Sequence, residues 1–264
     1  MKLLKYLILA ALPLAFASCD NVDENDRYID AGEIPPLRTV LLEEFTGQLC
    51  TNCPQGHKIA SDLRARFGSN FIPVSIHAST LALSEEYGGF SNAESEKYYN
   101  NVGNPSLPSG VVDRKTGTID RSAWTQAVLD DIRILAPVDL SISSSFDSST
   151  GTIEATVSAT EVTNTLTGTL QVWLVQNNIT AFQTDGGNYV TDYVHNHIFR
   201  SSLNGTDGES VTVSNPGPLG KTYSIKLKDA WKTEGWKPED FSVVAFITDA
   251  TGVVNAAESQ VRTN

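Results

Sequence analysis

Cysteine is scarce in this chain, with three in 264 residues. No second Cys pair accompanies Cys50 and Cys53, so a four-ligand structural zinc site is not expected from thiols. Positive charge is also short. Lys and Arg total 19 against 31 Asp and Glu, a net charge of −12. That balance argues against nucleic acid or an anionic membrane surface as a partner. A run able to span a bilayer is missing too: the apolar stretch from Leu7 to Ala17 is too short. What the chain does have is 40% hydrophobic residues, enough for globular cores and too many for disorder.

The start of the chain is an address. Lys2 and Lys5 precede the apolar run, which fits a secretory signal over residues 1–18. Ala17-Ser18-Cys19 is similar to the end of a bacterial lipoprotein signal, where Cys19 is lipidated and becomes the new N-terminus. Phe16 departs from the usual leucine, and an ordinary secretory signal with a chance cysteine is the plainer alternative. Lipidation of Cys19 would leave the other two cysteines as one pair with none left over. Residues 19–36, with Asp20, Asp23, Glu24, Asp26 and Asp30, read as a solvated acidic tether between lipid and fold. Acids just behind the lipid cysteine also resemble signals for the outer cell surface. The expected location is the cell envelope, as an outer-membrane lipoprotein on the periplasmic or surface face.

The stretch Leu41 to His57, LLEEFTGQLCTNCPQGH, holds the only obvious reactive chemistry. Thr39 to Phe45 reads as a strand covered on both faces. A helix is expected over about 52–67, with Pro54 near its start, an apolar stripe of Ile59, Ala60, Leu63 and Phe67, and Gly68 as terminator. Its first turn is expected to carry Cys50 and Cys53. Phe71 to His77 completes a strand–helix–strand unit. Cys-x-x-Cys beside such a unit reads as a redox motif, with Cys50 as nucleophile and Cys53 as resolving thiol. After a loop over 80–90, Ser91 to Glu94 is a capping-box pattern, Ser109 to Asp113 a strand, and Asp120 the cap of a helix that Pro137 ends.

This order, with the strings EEFTGQLCTNCP and SLPSGVVDR and a β-rich tail, resembles the twenty-eight-kilodalton outer-membrane lipoprotein family with a thioredoxin-like domain. The likeness runs from Cys19 onward. It implies an α/β thioredoxin-like domain over residues 37–136. It also implies that Pro108, in Leu107-Pro108, is a cis-proline facing the dithiol, and that Glu44, six residues before Cys50, is a buried acid that assists proton transfer. Departures from the thioredoxin pattern are Leu49, where a tryptophan usually stands, and Thr51-Asn52 between the thiols. They leave the redox potential open.

Residues 137–264 read as an all-β domain. Alternation at Val138-Leu140-Ile142 and Ile153-Ala155-Val157, then short apolar runs up to Ala257, give about eight strands of an immunoglobulin- or fibronectin-like sandwich. The segment Ile179 to Asn204 is the candidate functional loop, on length alone.

Each signal has a plainer reading. Cys50 and Cys53 would make a weak structural clip, since a four-residue loop yields roughly 2 kcal/mol against roughly 3 for fifteen residues. A redox pair is therefore favoured over a structural one, and zinc on Cys50, Cys53 and His57 lacks a fourth ligand. Only one of Glu43 and Glu44 is expected to point inward: Glu44 as a base with a raised pKa, Glu43 to solvent. His77 ends its strand at the sheet edge where sites form, and is either near the dithiol or simply hydrogen-bonded. His195 and His197 would share a face of a strand, and zinc or copper could use them. Without a third nearby ligand, packing is the plainer account. The acidic glycine turns at Asp185 and Asn204 do not match a calcium loop.

Two functions follow. One is a lipid-anchored thiol–disulfide oxidoreductase, leaning to reduction or isomerisation, acting on protein thiols and disulfides of the envelope with no cofactor and no metal. Its catalytic set would be Cys50, Cys53, Pro108, Glu44 and His77. The other is a non-catalytic surface or outer-membrane lipoprotein that binds or supports. Membrane contact in both is through lipid on Cys19.

Overall fold

A computed structural model describes residues 37–263, apart from 116, 162–163, 215–216 and 234. Cys19, the signal and the acidic tether lie outside the described residues. The first half runs β1 (Val40–Thr46), α1 (Cys53–Phe67), β2 (Phe71–His77), α2 (Ala93–Asn101), β3 (Ser109–Val112), β4 (Ile119–Asp120) and α3 (Arg121–Asp131). Strands then follow almost without interruption: β5 (Val138–Asp147), β6 (Thr152–Glu161), β7 (Leu166–Gln176), β8 (Ile179–Asp185), β9 (Asn188–His195) and β10 (Ile198–Ser202). The last are β11 (Glu209–Val213), β12 (Leu219–Lys226), β13 (Phe241–Asp249), β14 (Gly252–Gln260) and β15 (Arg262–Thr263).

Local chemistry explains the helix ends. Gly68 stops α1 at φ 57°, a conformation that suits glycine. The cap of α2 falls on Asn92, one residue later than the Ser91 pattern. Its side-chain oxygen accepts from the Glu94 and Ser95 amides, and Ser95 Oγ accepts from the Asn92 amide. Glu94 is thus released to accept from Ser201 Oγ at 2.7 Å and the Ser202 amide at 2.9 Å. Asp120 caps α3 as expected. Among the described residues no helix is long and apolar enough to cross a membrane.

The strands pair across the whole chain. A nine-stranded sheet has the order β14-β13-β7-β10-β2-β1-β3-β4, with β11 beside β10 along the same edge of β7. The link between its halves is β10, parallel to β2 at Ile198–Ser75 and antiparallel to β7. One face carries a single apolar cluster, with Leu41 and Phe45 of β1, Val74 of β2, Phe199 of β10, Trp173 of β7 and Phe246 of β13, under Tyr98 and Tyr99 of α2. The opposite face is split. Val40, Leu42 and Phe71 pack on α1 and on Trp124 and Val128 of α3. Val172, Leu174, Val243 and Ala245 pack instead on a second sheet of order β12-β6-β5-β15. Strands β1 and β2 are buried at every position because both of their faces are covered. Strands β5 and β6 alternate because they have one inner face.

This arrangement overturns the expected fold class. An α/β thioredoxin-like domain followed by a self-contained immunoglobulin- or fibronectin-like sandwich requires two sheets that close separately. Strand outweighs helix, and β1 to β4 share one sheet with β7, β10, β11, β13 and β14. The described residues fall in one compact unit. The sequence concealed this because nothing near β2 marks its second neighbour: β10, more than a hundred residues later, covers its other edge.

Two local expectations also change. Glu43 is not in solvent. It is buried and held by Arg114, whose Nε and Nη2 each donate to its carboxylate at 2.8 Å, because the second face of β1 is covered as well. The segment 179–204 is not a loop. It is the hairpin β8–β9 followed by β10.

Candidate functional site

The site is built where β1 and β2 end beside the start of α1. Their parallel register sets Glu44 opposite Ser75 and Thr46 opposite His77, all on the face that meets α1. Helix α1 can approach this face closely because Gly56 has no side chain. A Cβ there would lie 2.6 Å from Glu44 Oε1, 3.0 Å from Trp124 and 3.3 Å from the Pro108 ring. The Leu107–Pro108 peptide is cis, and that contact sets Pro108 against α1 one turn beyond Cys53.

Cys50 and Cys53 form a disulfide with Cα atoms 5.4 Å apart. Cys50 does not lie in the first turn of α1; it precedes the cap residue, Asn52. Neither cysteine faces open solvent: Cys50 is 4% exposed and Cys53 is fully buried. The cover is the β8–β9 hairpin. The Thr184 amide donates to Gln48 O at 2.8 Å and the Gly186 amide to Thr51 O at 3.0 Å. Gln183, itself fully buried, donates through Nε2 to Gly47 O and Cys50 O at 3.3 and 3.1 Å. From the other side the Leu49 amide donates to Leu81 O.

Beneath α1 lies a cavity of about 270 Å³. All four histidines of the chain line it: His57 from α1, His77 from the end of β2, His195 from the end of β9, and His197 from the turn into β10. Glu44, Ser75 and Tyr193 share the lining. His57 is pinned by Thr46 Oγ1 at Nε2 and by the Tyr193 hydroxyl at Nδ1, both at 2.9 Å. His195 Nε2 meets Phe182 O at 3.3 Å. His77 is buried against the Phe90 ring, with neither ring nitrogen hydrogen-bonded. His195 and His197 do not share a strand face, since β9 ends at His195 and His197 takes φ 58°.

Burial decides the charges here. It raises the Glu44 carboxyl to about 8, against the opposing pull of the Ser75 hydroxyl. It lowers His57 to about 3, with further push from His195 and His197. His195 and His197 fall to about 4, chiefly by burial, and His77 falls well below the ordinary imidazole range. Glu44 Oε1 stands 3.8 Å from His57 Nε2. At neutral pH that contact is a neutral pair rather than an ion pair, because both groups favour their uncharged forms.

Of the residues expected to form a site, Glu44 and His77 meet at this cavity, while Cys50 and Cys53 lie under the hairpin beside it. Gln183, Tyr193 and the gathering of His57 with His195 had no signal in the sequence. No linear spacing links α1 to β9.

The family profile described as outer membrane protein Omp28 matches residues 95–264, well over half of the chain. Among solved structures, HBP35 of Porphyromonas gingivalis is similar at 16% identity with a TM-score of 0.65, covering 85% of this chain and 76% of that one. Its likeness crosses both halves of the large sheet and shows the fold alone. A domain of the outer membrane lipoprotein Omp28 from the same organism is also 16% identical, over 49% of this chain and 99% of its own, with a TM-score of 0.37. No curated protein sequence matches the chain. By the extent of the profile match, the chain belongs to the Omp28 outer membrane protein family, and its place is the outer membrane of the cell envelope.

Proposed function

We propose that this protein is a non-catalytic, lipid-anchored module of the outer membrane, which binds or supports and does not turn over disulfides. Lipid on Cys19 holds it to the membrane, and the acidic segment 19–36 spaces the fold from the surface. The observation that carries this reading is the cover over Cys50–Cys53: both cysteines are shielded and the β8–β9 hairpin is hydrogen-bonded across their loop. A sulfur that takes part in exchange must be reached in line by an attacking thiolate. The family match begins at residue 95 and so does not include the disulfide. In this role the bond clips the turn before α1 to the first residue of that helix.

A second reading, thiol–disulfide exchange, has one supporting observation. Glu44 is a buried acid with a pKa raised to about 8, set against α1 one turn beyond Cys53. In that reaction the reduced Cys50 thiolate attacks a partner disulfide and releases one partner thiolate. Cys53 then attacks the Cys50 sulfur and releases the other, so two electrons pass from this chain to the partner.

One assay decides between them. The protein is exposed to millimolar dithiothreitol without denaturant, and free thiols and insulin reduction are followed. The binding reading expects a disulfide that stays oxidised in the folded protein and no turnover above the reagent blank. Multiple turnovers that vanish in Cys50→Ser would establish the exchange reading.

A further inference from the structure

We propose that the cavity under α1 binds one divalent late first-row transition-metal ion, of the zinc or copper class, through the imidazoles of His57, His77 and His195 and the carboxylate of Glu44. The site is separate from the disulfide and does not depend on whether that bond turns over.

The first argument is the gathering itself. All the histidines of the chain come from three distant segments and line one small space. Packing alone gives no reason to collect the residue type most often used to hold such ions. The second argument is what these groups lack. His77 is 1% exposed and neither ring nitrogen has a well-formed hydrogen bond, the Ser75 backbone giving only a weak interaction, and Glu44 Oε1 is likewise buried without a hydrogen bond. A buried polar group that nothing ever pairs with carries its full desolvation cost, and an unfilled ion site is one ordinary explanation.

One ring spacing already fits, and the rest require side-chain rotation. Two imidazoles on one ion, with bonds of about 2.0–2.1 Å, have ring centres roughly 5–6 Å apart. The His77–His195 and His57–His195 centres are 5.7 and 6.3 Å apart. Donors around a tetrahedral ion of that size stand about 3.3 Å from one another, and Glu44 Oε1 is 3.8 Å from His57 Nε2. Among the described residues no group of three or more His, Cys, Asp or Glu side chains is placed to hold a metal ion as the structure stands. Binding would therefore swing His77 and His195 inward by side-chain rotation, and the cavity of about 270 Å³ leaves space for that.

The surrounding contacts suit the role. Tyr193 holds His57 Nδ1, so an ion would take Nε2 in place of Thr46 Oγ1, and Phe182 O engages His195 Nε2, leaving its Nδ1 for the ion. The imidazoles are held neutral by burial, the form that ligates, whereas the Glu44 carboxyl, raised to about 8, gives up its proton when an ion binds. Nitrogen donors favour zinc, copper or cobalt over calcium or magnesium. The oxidised cysteines supply no thiolate.

The test uses untagged, metal-free, full-chain protein titrated with Co2+ and then Zn2+ at neutral pH. The expected result is one Co2+ per chain, with visible d–d absorption and no thiolate charge-transfer band, displaced by Zn2+. His77→Gln and His195→Asn should each weaken binding at least tenfold, while the Cys50→Ser/Cys53→Ser double variant binds as the parent does. Should His77→Gln fail to fold by circular dichroism, His195→Asn on the hairpin decides. The proposal is overturned by the absence of stoichiometric binding, by binding that the folded histidine variants leave unchanged, or by binding that disappears with the cysteines. Because the disulfide assay is run separately, a failure here leaves the non-catalytic reading standing or falling on its own result.

Discussion

A methyl group at Gly56 would have nowhere to go. Helix propensity favours alanine over glycine by about 0.8–1.0 kcal/mol, yet the Cβ would press on Glu44 Oε1 and on Trp124, both fully enclosed. Overpacking of a filled site costs about 1–3 kcal/mol, so Gly56→Ala is expected to lower stability, read as a drop in the urea midpoint. Asp113 gives a pH signature. It is fully buried, accepts from the Leu41 amide at 2.8 Å, and stands 3.6 Å from Arg38. Burial outweighs both partners and raises its pKa to about 7. The folded state therefore holds this proton more tightly than the unfolded chain does. The resulting stability is fully present below pH 3.8 and is lost as pH rises through about 7. Three pKa units set a ceiling of about 4 kcal/mol. Asp113→Asn should flatten that part of the stability profile between pH 4 and 8, measured by denaturant unfolding. An unchanged slope would assign the pH dependence to other groups.

The β8–β9 hairpin is the element on which the disulfide's environment depends. Gln183 reaches under it to Gly47 O and Cys50 O, and also to its own neighbour Thr184 O. Gln183→Ala removes those donors. At about 1.4 kcal/mol, a net loss typical of buried hydrogen bonds, the hairpin would open roughly ten times more often. At a dithiothreitol concentration high enough to open the parent's bond slowly, reduction of Cys50–Cys53 should quicken by a similar factor, with far-ultraviolet circular dichroism unchanged. A rate equal to the parent's would show that the hairpin is not the barrier. This element was the least legible part of the sequence. Its Gly186-Gly187 turn was visible as a turn, but β9 is exposed or half-buried at every position before His195. A strand with no buried face leaves no period-two pattern to read. Strands β1 and β2 and helix α1 were legible because continuous burial, Pro54 and Gly68 each leave a local mark. Glu43 misled for a different reason. Its partner Arg114 is 71 positions away, and nothing near Glu43 announces a second covered face.

At the scale of the molecule, the nine-stranded sheet ties both halves of the chain into one hydrogen-bonded body. Thermal unfolding followed by tryptophan fluorescence and by far-ultraviolet circular dichroism should coincide in a single transition, since Trp124 sits in the helical layer and Trp173 and Trp231 beyond β10. Two separated transitions would show that β10 is a weak seam. Replacing Cys50 and Cys53 together by alanine should lower stability by only about 2 kcal/mol, as expected for so short a closed loop, and should leave that cooperativity intact. The same seam bears on how the chain matures after export. Strand β2 gains its second neighbour only when residues 198–202 arrive, so the amino-terminal portion of a nascent chain emerging from a translocon holds an incomplete sheet edge. Such an edge invites mispairing with other chains, and a holding chaperone would be needed most in that interval.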